Sequence, residues 1–217
     1  MDRVKAILNN PEPARWLFYG DSITHGALHT FGRRGFPEIF RERLVYEMSR
    51  RQDLVLNSAY SGFTAAELVR DFDFRAAAFR PHVAFVMIGT NDCTKYTVDE
   101  FRDNLGILAE RFQALECRLI LQTSIPPITK LNPQRANAGD FAEALRAFAA
   151  ERGLDCIDHW KLWSDLPLQE RYYLLSDPLH PNTEGHLKIA HDIFRALGCF
   201  TPDTPLCRKQ PGPRITT

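Results

Sequence analysis

Five short apolar runs, at residues 16–19, 54–56, 83–88, 119–121 and 154–157, alternate with longer stretches of helical period. This alternation is the strongest constraint on the fold. Short runs rich in β-formers and bounded by polar or turn residues have the character of strands buried on both faces. The stretches at about 36–50, 64–79, 97–115, 137–152 and 183–197 read as helices. In the first of them Phe36, Ile39, Phe40, Leu44 and Met48 form one apolar stripe. At the start of the third, Thr97 and Glu100 have the spacing of a capping box. Strands alternating with helices predict a single α/β domain built on a parallel sheet.

A chain of 217 residues fits one such domain, and 44% apolar with 25% charged residues is ordinary globular composition. Lys plus Arg and Asp plus Glu both number 27, so the formal net charge is +0, which argues against a dedicated nucleic-acid binder. No apolar run approaches the 18 residues of a membrane span, and the first sixteen residues lack the apolar core of a signal peptide. Cys93, Cys117, Cys156, Cys199 and Cys207 are odd in number and contain no CxxC pair, so buried free thiols in a reducing compartment are expected. The expectation is a cytoplasmic protein with one domain over residues 1–200 and a proline-rich tail over 201–217, either strapped to the body or partly disordered. Residues 124–139, with three prolines and little periodicity, read as a long loop, and 158–181 reads as irregular.

In open parallel sheets ligands bind beyond the carboxyl ends of the strands. Polar clusters follow three of the apolar runs: Gly20-Asp21-Ser22, Asn57 to Gly62, and Gly89-Thr90-Asn91-Asp92. A fourth, Asp177 to Asn182, precedes the final helix. Clusters on one rim can share one pocket. Ser22 is a weak nucleophile unless a base lies within hydrogen-bond reach, and His180 is the natural base. Asp177, three residues earlier, can fold back on the imidazole Nδ1 and fix its tautomer. Acyl transfer also needs donors for a developing oxyanion. Asn91 offers a side-chain amide, Gly62 an unshielded backbone N–H, and Ser22 its own N–H if it heads a helix.

This set resembles the SGNH (GDSL-type) hydrolase family. The resemblance rests on Gly20-Asp21-Ser22-Ile23, Gly62, Gly89-Thr90-Asn91-Asp92 and Asp177-Pro178-Leu179-His180, in that order along most of the chain. Ile23 stands where the family name has Leu. The resemblance implies a flavodoxin-like three-layer α/β/α sandwich with a five-stranded parallel sheet. It also implies a catalytic Ser22, His180 and Asp177, and an oxyanion hole made by Ser22, Gly62 and Asn91. An ordinary α/β-hydrolase fits less well: GxSxG is absent, since Thr24 lies two residues after Ser22, and acid and base share one loop.

Other polar residues read as structural. Asp21 suits a turn or cap, and Asp92 suits loop backbone. Asp21, His25, Asp177 and His180 are metal-capable types, but their spacing follows no metal-site pattern, so no metal and no cofactor are expected. His25 and His29 read as loop histidines, and His82, His159, His186 and His191 carry no role. Trp160, Trp163, Tyr172 and Tyr173 read as packing rather than a sugar platform. The expected function is a serine esterase acting through an acyl-enzyme, removing acetyl or another small acyl group from a carbohydrate. The preference for a small acyl group rests on the lack of an apolar lid or amphipathic membrane helix. The alternatives are a lysophospholipase or thioesterase for longer chains, and a non-catalytic carbohydrate-binding protein of the same fold. The expected partner is a small-molecule or oligosaccharide ester; a homo-oligomer is compatible with the sequence, though no residue points to one. Activity is expected to rise with pH at about 6–7, as an imidazole base loses its proton.

Overall fold

The computed structural model describes residues 1–26 and 28–211. The five apolar runs form five parallel strands, β1 (Arg15–Gly20), β2 (Leu54–Asn57), β3 (Val83–Ile88), β4 (Arg118–Thr123) and β5 (Asp155–Ile157). Their order across the sheet is β2-β1-β3-β4-β5. The chain therefore turns one way from β1 to β2 and the other way to β3. That reversal opens a crevice at the carboxyl ends of β1 and β3.

Eleven α-helices surround the sheet among the described residues: α1 (Asp2–Asn9), α2 (Ser22–His25), α3 (Phe36–Glu42), α4 (Ala65–Arg70), α5 (Phe72–Arg75), α6 (Val98–Ala114), α7 (Ala138–Glu151), α8 (His159–Ser164), α9 (Leu168–Tyr173), α10 (Thr183–Ala196) and α11 (Pro205–Arg208). Strand side chains alternate between two cores. Trp16, Phe18, Phe85, Met87 and Ile120 pack with α1, α3 and α10. Leu17, Tyr19, Val86, Ile88 and Leu121 pack with α4, α6 and α7. The result is the three-layer arrangement that the family resemblance implies.

Local chemistry sets the element boundaries. Thr97 caps α6, accepting from Glu100 N–H at 3.3 Å, while the Glu100 carboxylate accepts from Thr97 N–H at 2.8 Å. The predicted helix 36–50 is α-helical only to Glu42 and continues as a π-turn over Arg43–Glu47. The predicted helix 64–79 is broken into α4, α5 and a 3-10 turn at Ala77–Phe79. Helices α8 and α9 occupy the segment that reads as irregular.

Residues 201–207 are held against the body. The buried Arg43 guanidinium donates to the Cys199 carbonyl at 2.6 Å, to Thr201 Oγ1 at 2.8 Å and to Thr204 Oγ1 at 3.0 Å. Leu206 and Cys207 are buried. The remainder of the tail, 212–217, lies outside the described residues. All five cysteines are free thiols, four buried and Cys156 half-buried. Among the described residues no helix is long and apolar enough to cross a membrane.

One glycine fixes the loop before α10. A Cβ on Gly185 would overlap the Leu174 carbonyl oxygen and come 2.8 Å from Pro181 Cβ. Leu175 and Pro181 form an antiparallel bridge, so this close approach closes the loop 176–180. Gly185→Ala should lower the free energy of unfolding by about 1–3 kcal/mol, because backbone must move to admit the methyl group. Urea titration of wild type and variant measures it; equal midpoints and slopes would show that the contact yields freely.

Candidate active site

β1 ends at Gly20, where a Cβ would overlap the Met87 carbonyl of the neighbouring strand. The chain then turns into α2. Asp21 is its N-cap, accepting from Ile23 N–H at 2.9 Å. Ser22 is the first helical residue, at the mouth of the crevice between β1 and β3.

His180 and Asp177 come from the loop closed by Gly185. Ser22 Oγ lies 2.9 Å from His180 Nε2, and His180 Nδ1 lies 2.8 Å from Asp177 Oδ2. The network assigns the proton on Nδ1, so Nδ1–H donates to the carboxylate and Nε2 accepts from the serine hydroxyl. The other Asp177 oxygen, Oδ1, accepts from the backbone N–H groups of Leu179 and His180, both at 2.8 Å. These donors hold the Asp177 carboxyl below its ordinary range despite the opposing effect of its partial burial. Burial is the largest influence on His180 and holds it below its ordinary 6.5; Asp177 opposes that shift, and charges on His29 and Arg135 reinforce it. The ring is thus poised to accept a proton near neutrality.

The candidate oxyanion donors lie on adjoining loops. Gly62 adopts φ 86°, a left-handed conformation, and a Cβ there would face open space. Asn91 Nδ2 donates to the carbonyl of Phe63, the next residue, at 2.9 Å. The structure thereby ties the Asn91 amide to the Gly62 loop. Arg135 holds the other end of that amide, with Nη2 3.3 Å from Asn91 Oδ1 and Nη1 on the Thr90 carbonyl. Arg135 belongs to the 124–139 loop, whose irregular sequence gives no sign of it; only the loop's length marked it for attention. Asp92 accepts from Ala65 N–H at 2.8 Å, the backbone role its position suggests.

His29 departs from its reading as an ordinary loop histidine. Its ring lies parallel to that of His180, with centroids 3.4 Å apart and planes 7° apart. Its Nδ1 is 3.3 Å from Asp177 Oδ2. His25, from α2, stacks on the exposed Tyr60 and lies 3.1 Å from Ser61 Oγ through Nδ1. Ligand-capable atoms of His29, Asp177 and His180 fall within 4.8 Å of one another. Because the two imidazoles lie face to face, their nitrogen lone pairs run side by side, whereas a tetrahedral ion needs them to converge. Of the four aromatics in 158–181, Trp163 is fully buried and Tyr172 and Tyr173 are exposed.

Beneath the serine lies a buried acidic pair. Burial pushes the Asp21 carboxyl up to about 7 and that of Asp92 up to about 6; the charge of Asp92 raises Asp21 further, and that of Glu67 raises Asp92. Among the described residues, Asp21 Oδ2 and Asp92 Oδ2 have no hydrogen-bond partner.

Comparison with known proteins adds a family and a set of relatives. The sequence pattern of the "GDSL-like Lipase/Acylhydrolase family" matches residues 18–188. An uncharacterized protein of Mycoplasma pneumoniae is 25% identical over 222 residues, 88% of this chain, which spans 25% of that protein's length. The isoamyl acetate-hydrolyzing esterase 1 homolog of Rattus norvegicus is 28% identical over 200 residues, covering 79% of this chain and 76% of the relative. The acetylxylan esterase of Geobacillus stearothermophilus is 23% identical over 206 residues, covering 84% of this chain and 93% of the relative. The crystal structure of that acetylxylan esterase superposes with a TM-score of 0.70 at 22% identity, over 85% of this chain and 94% of the other. An alpha/beta hydrolase from the Lake Arreo metagenome superposes at 0.71 and 21% identity, over 87% and 96%. These superpositions establish the shared fold.

The raised Asp21 carboxyl has a consequence for stability. Its folded value, about 7, lies above its ordinary 3.8, so the fold retains a proton that the unfolded chain has released. The stabilisation is complete below pH 3.8 and is lost as pH rises through 7. Asp21→Asn keeps the oxygen that caps Ile23 N–H but cannot ionise. Its melting temperature relative to wild type should therefore increase from pH 5 to about pH 7 and level off by pH 8. A difference that stays constant across that range would refute the protonated state of Asp21.

Proposed function

The chain belongs to the GDSL-like lipase/acylhydrolase family and is a carboxylic ester hydrolase of the SGNH type; from that premise we propose that it is a serine esterase whose nucleophile, base and acid are Ser22, His180 and Asp177. The observation that carries this reading is the hydrogen-bonded relay from Ser22 Oγ through His180 to Asp177 at the strand ends. Ser22 Oγ attacks the acyl carbon as its proton passes to His180 Nε2. The negative charge moves to the carbonyl oxygen, where the backbone N–H groups of Ser22 and Gly62 and the second N–H of Asn91 receive it. Collapse of this intermediate breaks the bond to the alcohol, which leaves with the proton from His180. Water then attacks the acyl-serine, giving its proton to His180. The second collapse returns that proton to Ser22 and releases the acid. Asp177 remains ionised throughout and stabilises the imidazolium. Removing one oxyanion donor should cost roughly 3–4 kcal/mol of transition-state stabilisation.

The proposed acyl group is acetyl. The isoamyl acetate-hydrolyzing and acetylxylan relatives differ in the alcohol named but share the acetate. We place a carbohydrate on the alcohol side, in keeping with the polar rim around Ser22. The exposed Leu28 and Phe31, on the loop that carries His29, favour a second reading with an apolar alcohol or a longer acyl chain. The five free thiols fit a reducing, cytoplasmic compartment.

The deciding experiment is acetate release from acetylated xylo-oligosaccharides, isoamyl acetate and p-nitrophenyl acetate and octanoate, with wild type and Ser22→Ala. Acetate should be released from the sugars by wild type alone. Preferential turnover of octanoate would instead establish the longer-chain reading, and glycan binding without turnover in either protein would make it a binding module. The pH profile is a separate test. His180 must be neutral to act, and its burial holds it below 6.5. The rate should therefore rise with pH along a limb centred below 6.5 and level off above it; a rate that falls as pH rises through 6.5, or that shows no acid limb down to the pH at which the protein unfolds, would exclude His180 as the base.

A further inference from the structure

Nothing in the acyl-transfer chemistry above requires a second histidine, yet one lies flat against the first. His29 follows α2, and its backbone carbonyl accepts from Ser176 Oγ at 2.7 Å, which pins it to the loop bearing Asp177 and His180. The parallel rings are 3.4 Å apart, the thickness of aromatic contact. His29 Nδ1 approaches the same Asp177 oxygen that takes the His180 proton, at 3.3 Å against 2.8 Å. Resting on the esterase reading, we propose that His29 is a positioning residue: its ring backs the imidazole of His180, and its charge competes with His180 for Asp177. The charge state of His29 then governs how readily the base accepts the serine proton.

Two physical effects follow from that contact. The flat face restricts His180 to the ring plane that reaches both Ser22 and Asp177, leaving less orientation to be organised during the reaction. A positive charge on His29 also opposes the imidazolium that must form on His180. The groups facing His180 are Asp177 on its own loop, His29 after α2, Ser22 on α2, and Arg135 on the 124–139 loop; the buried His186 of α10 is sensitive to both stacked rings. Asp177 is the negative charge of the set, so both histidines draw on it.

The test uses the full chain, with His180 titrated by NMR of its ring nitrogens in wild type, His29→Phe and His29→Ala, and kcat and KM for p-nitrophenyl acetate measured from pH 5 to 8. Phenylalanine keeps a flat ring and removes the charge. The His180 midpoint should rise by about one pH unit, with the acid limb of kcat following it and the plateau within a few fold of wild type. Alanine also removes the backing face, and plateau kcat should fall about 10-fold with KM within about 2-fold. Melting curves check that both variants fold, since the Ser176 contact uses only the His29 backbone. An unchanged His180 midpoint in both variants overturns the proposal. So does a raised KM at constant kcat, which would make His29 a substrate contact. The NMR midpoint does not need turnover. Its movement without ester hydrolysis would retain the role of His29 and remove the esterase reading; hydrolysis with a fixed midpoint would do the reverse.

Discussion

β1 and β3 are buried on both faces, and that burial decides where chemistry can occur. A strand packed between two apolar layers makes unpartnered polar side chains along its length costly. Polar groups collect where the strands end and the covering helices begin. Gly20-Asp21-Ser22 and Gly89-Thr90-Asn91 are the first residues at which these two central strands can turn outward. The reversal of strand order between β1 and β3 leaves a crevice beside them. The loop before α10 reaches the same rim, anchored through Leu187, Ile189 and Phe194 of its following helix in the core that also holds Ile23. The ester chemistry proposed here is thus a product of packing: one shared core brings a serine and a histidine together from distant parts of the chain.

The parts of the fold legible in the sequence are those in which local pattern and tertiary packing agree. Runs such as Val83–Ile88 are apolar because both faces are covered, and Thr97 with Glu100 announces a helix start that needs no neighbour. Elsewhere tertiary contact overrules the pattern. The stripe from Phe36 to Met48 predicts one helix, but Arg43 turns inward to grip residues 199–204 and the backbone widens into a π-turn there. Helix α1 buries only Val4 and Leu8, too few apolar contacts to stand out against its polar surroundings. Helices α8 and α9 are short, and their aromatic residues carry no clear period.

The candidate site divides in the same way. Ser22, Gly62 and Asn91 stand in compact blocks after strands, and Asp177 with His180 in one just before α10, where residue type alone indicates chemistry. Arg135 and His29 stand in segments without period, and their significance lies in what they touch across the molecule. A guanidinium on the Asn91 amide oxygen and an imidazole on the face of His180 are contacts that only a folded chain reveals. The signal available beforehand was indirect: a long loop inside a small domain has to be held by something, and a histidine near a reactive serine is rarely far from its partners.

Asp177 and His180 are cross-braced within their own loop by two backbone donors and the bond between carboxylate and ring. Their connection to Ser22 is a single hydrogen bond between residues 158 positions apart. Displacement of this pair relative to the serine is felt in the gap between Oγ and Nε2. Remote packing defects, heat and loop mutations should all disable the relay by widening that gap. The acid–base pair itself would survive as a loaded but disengaged half of the machinery.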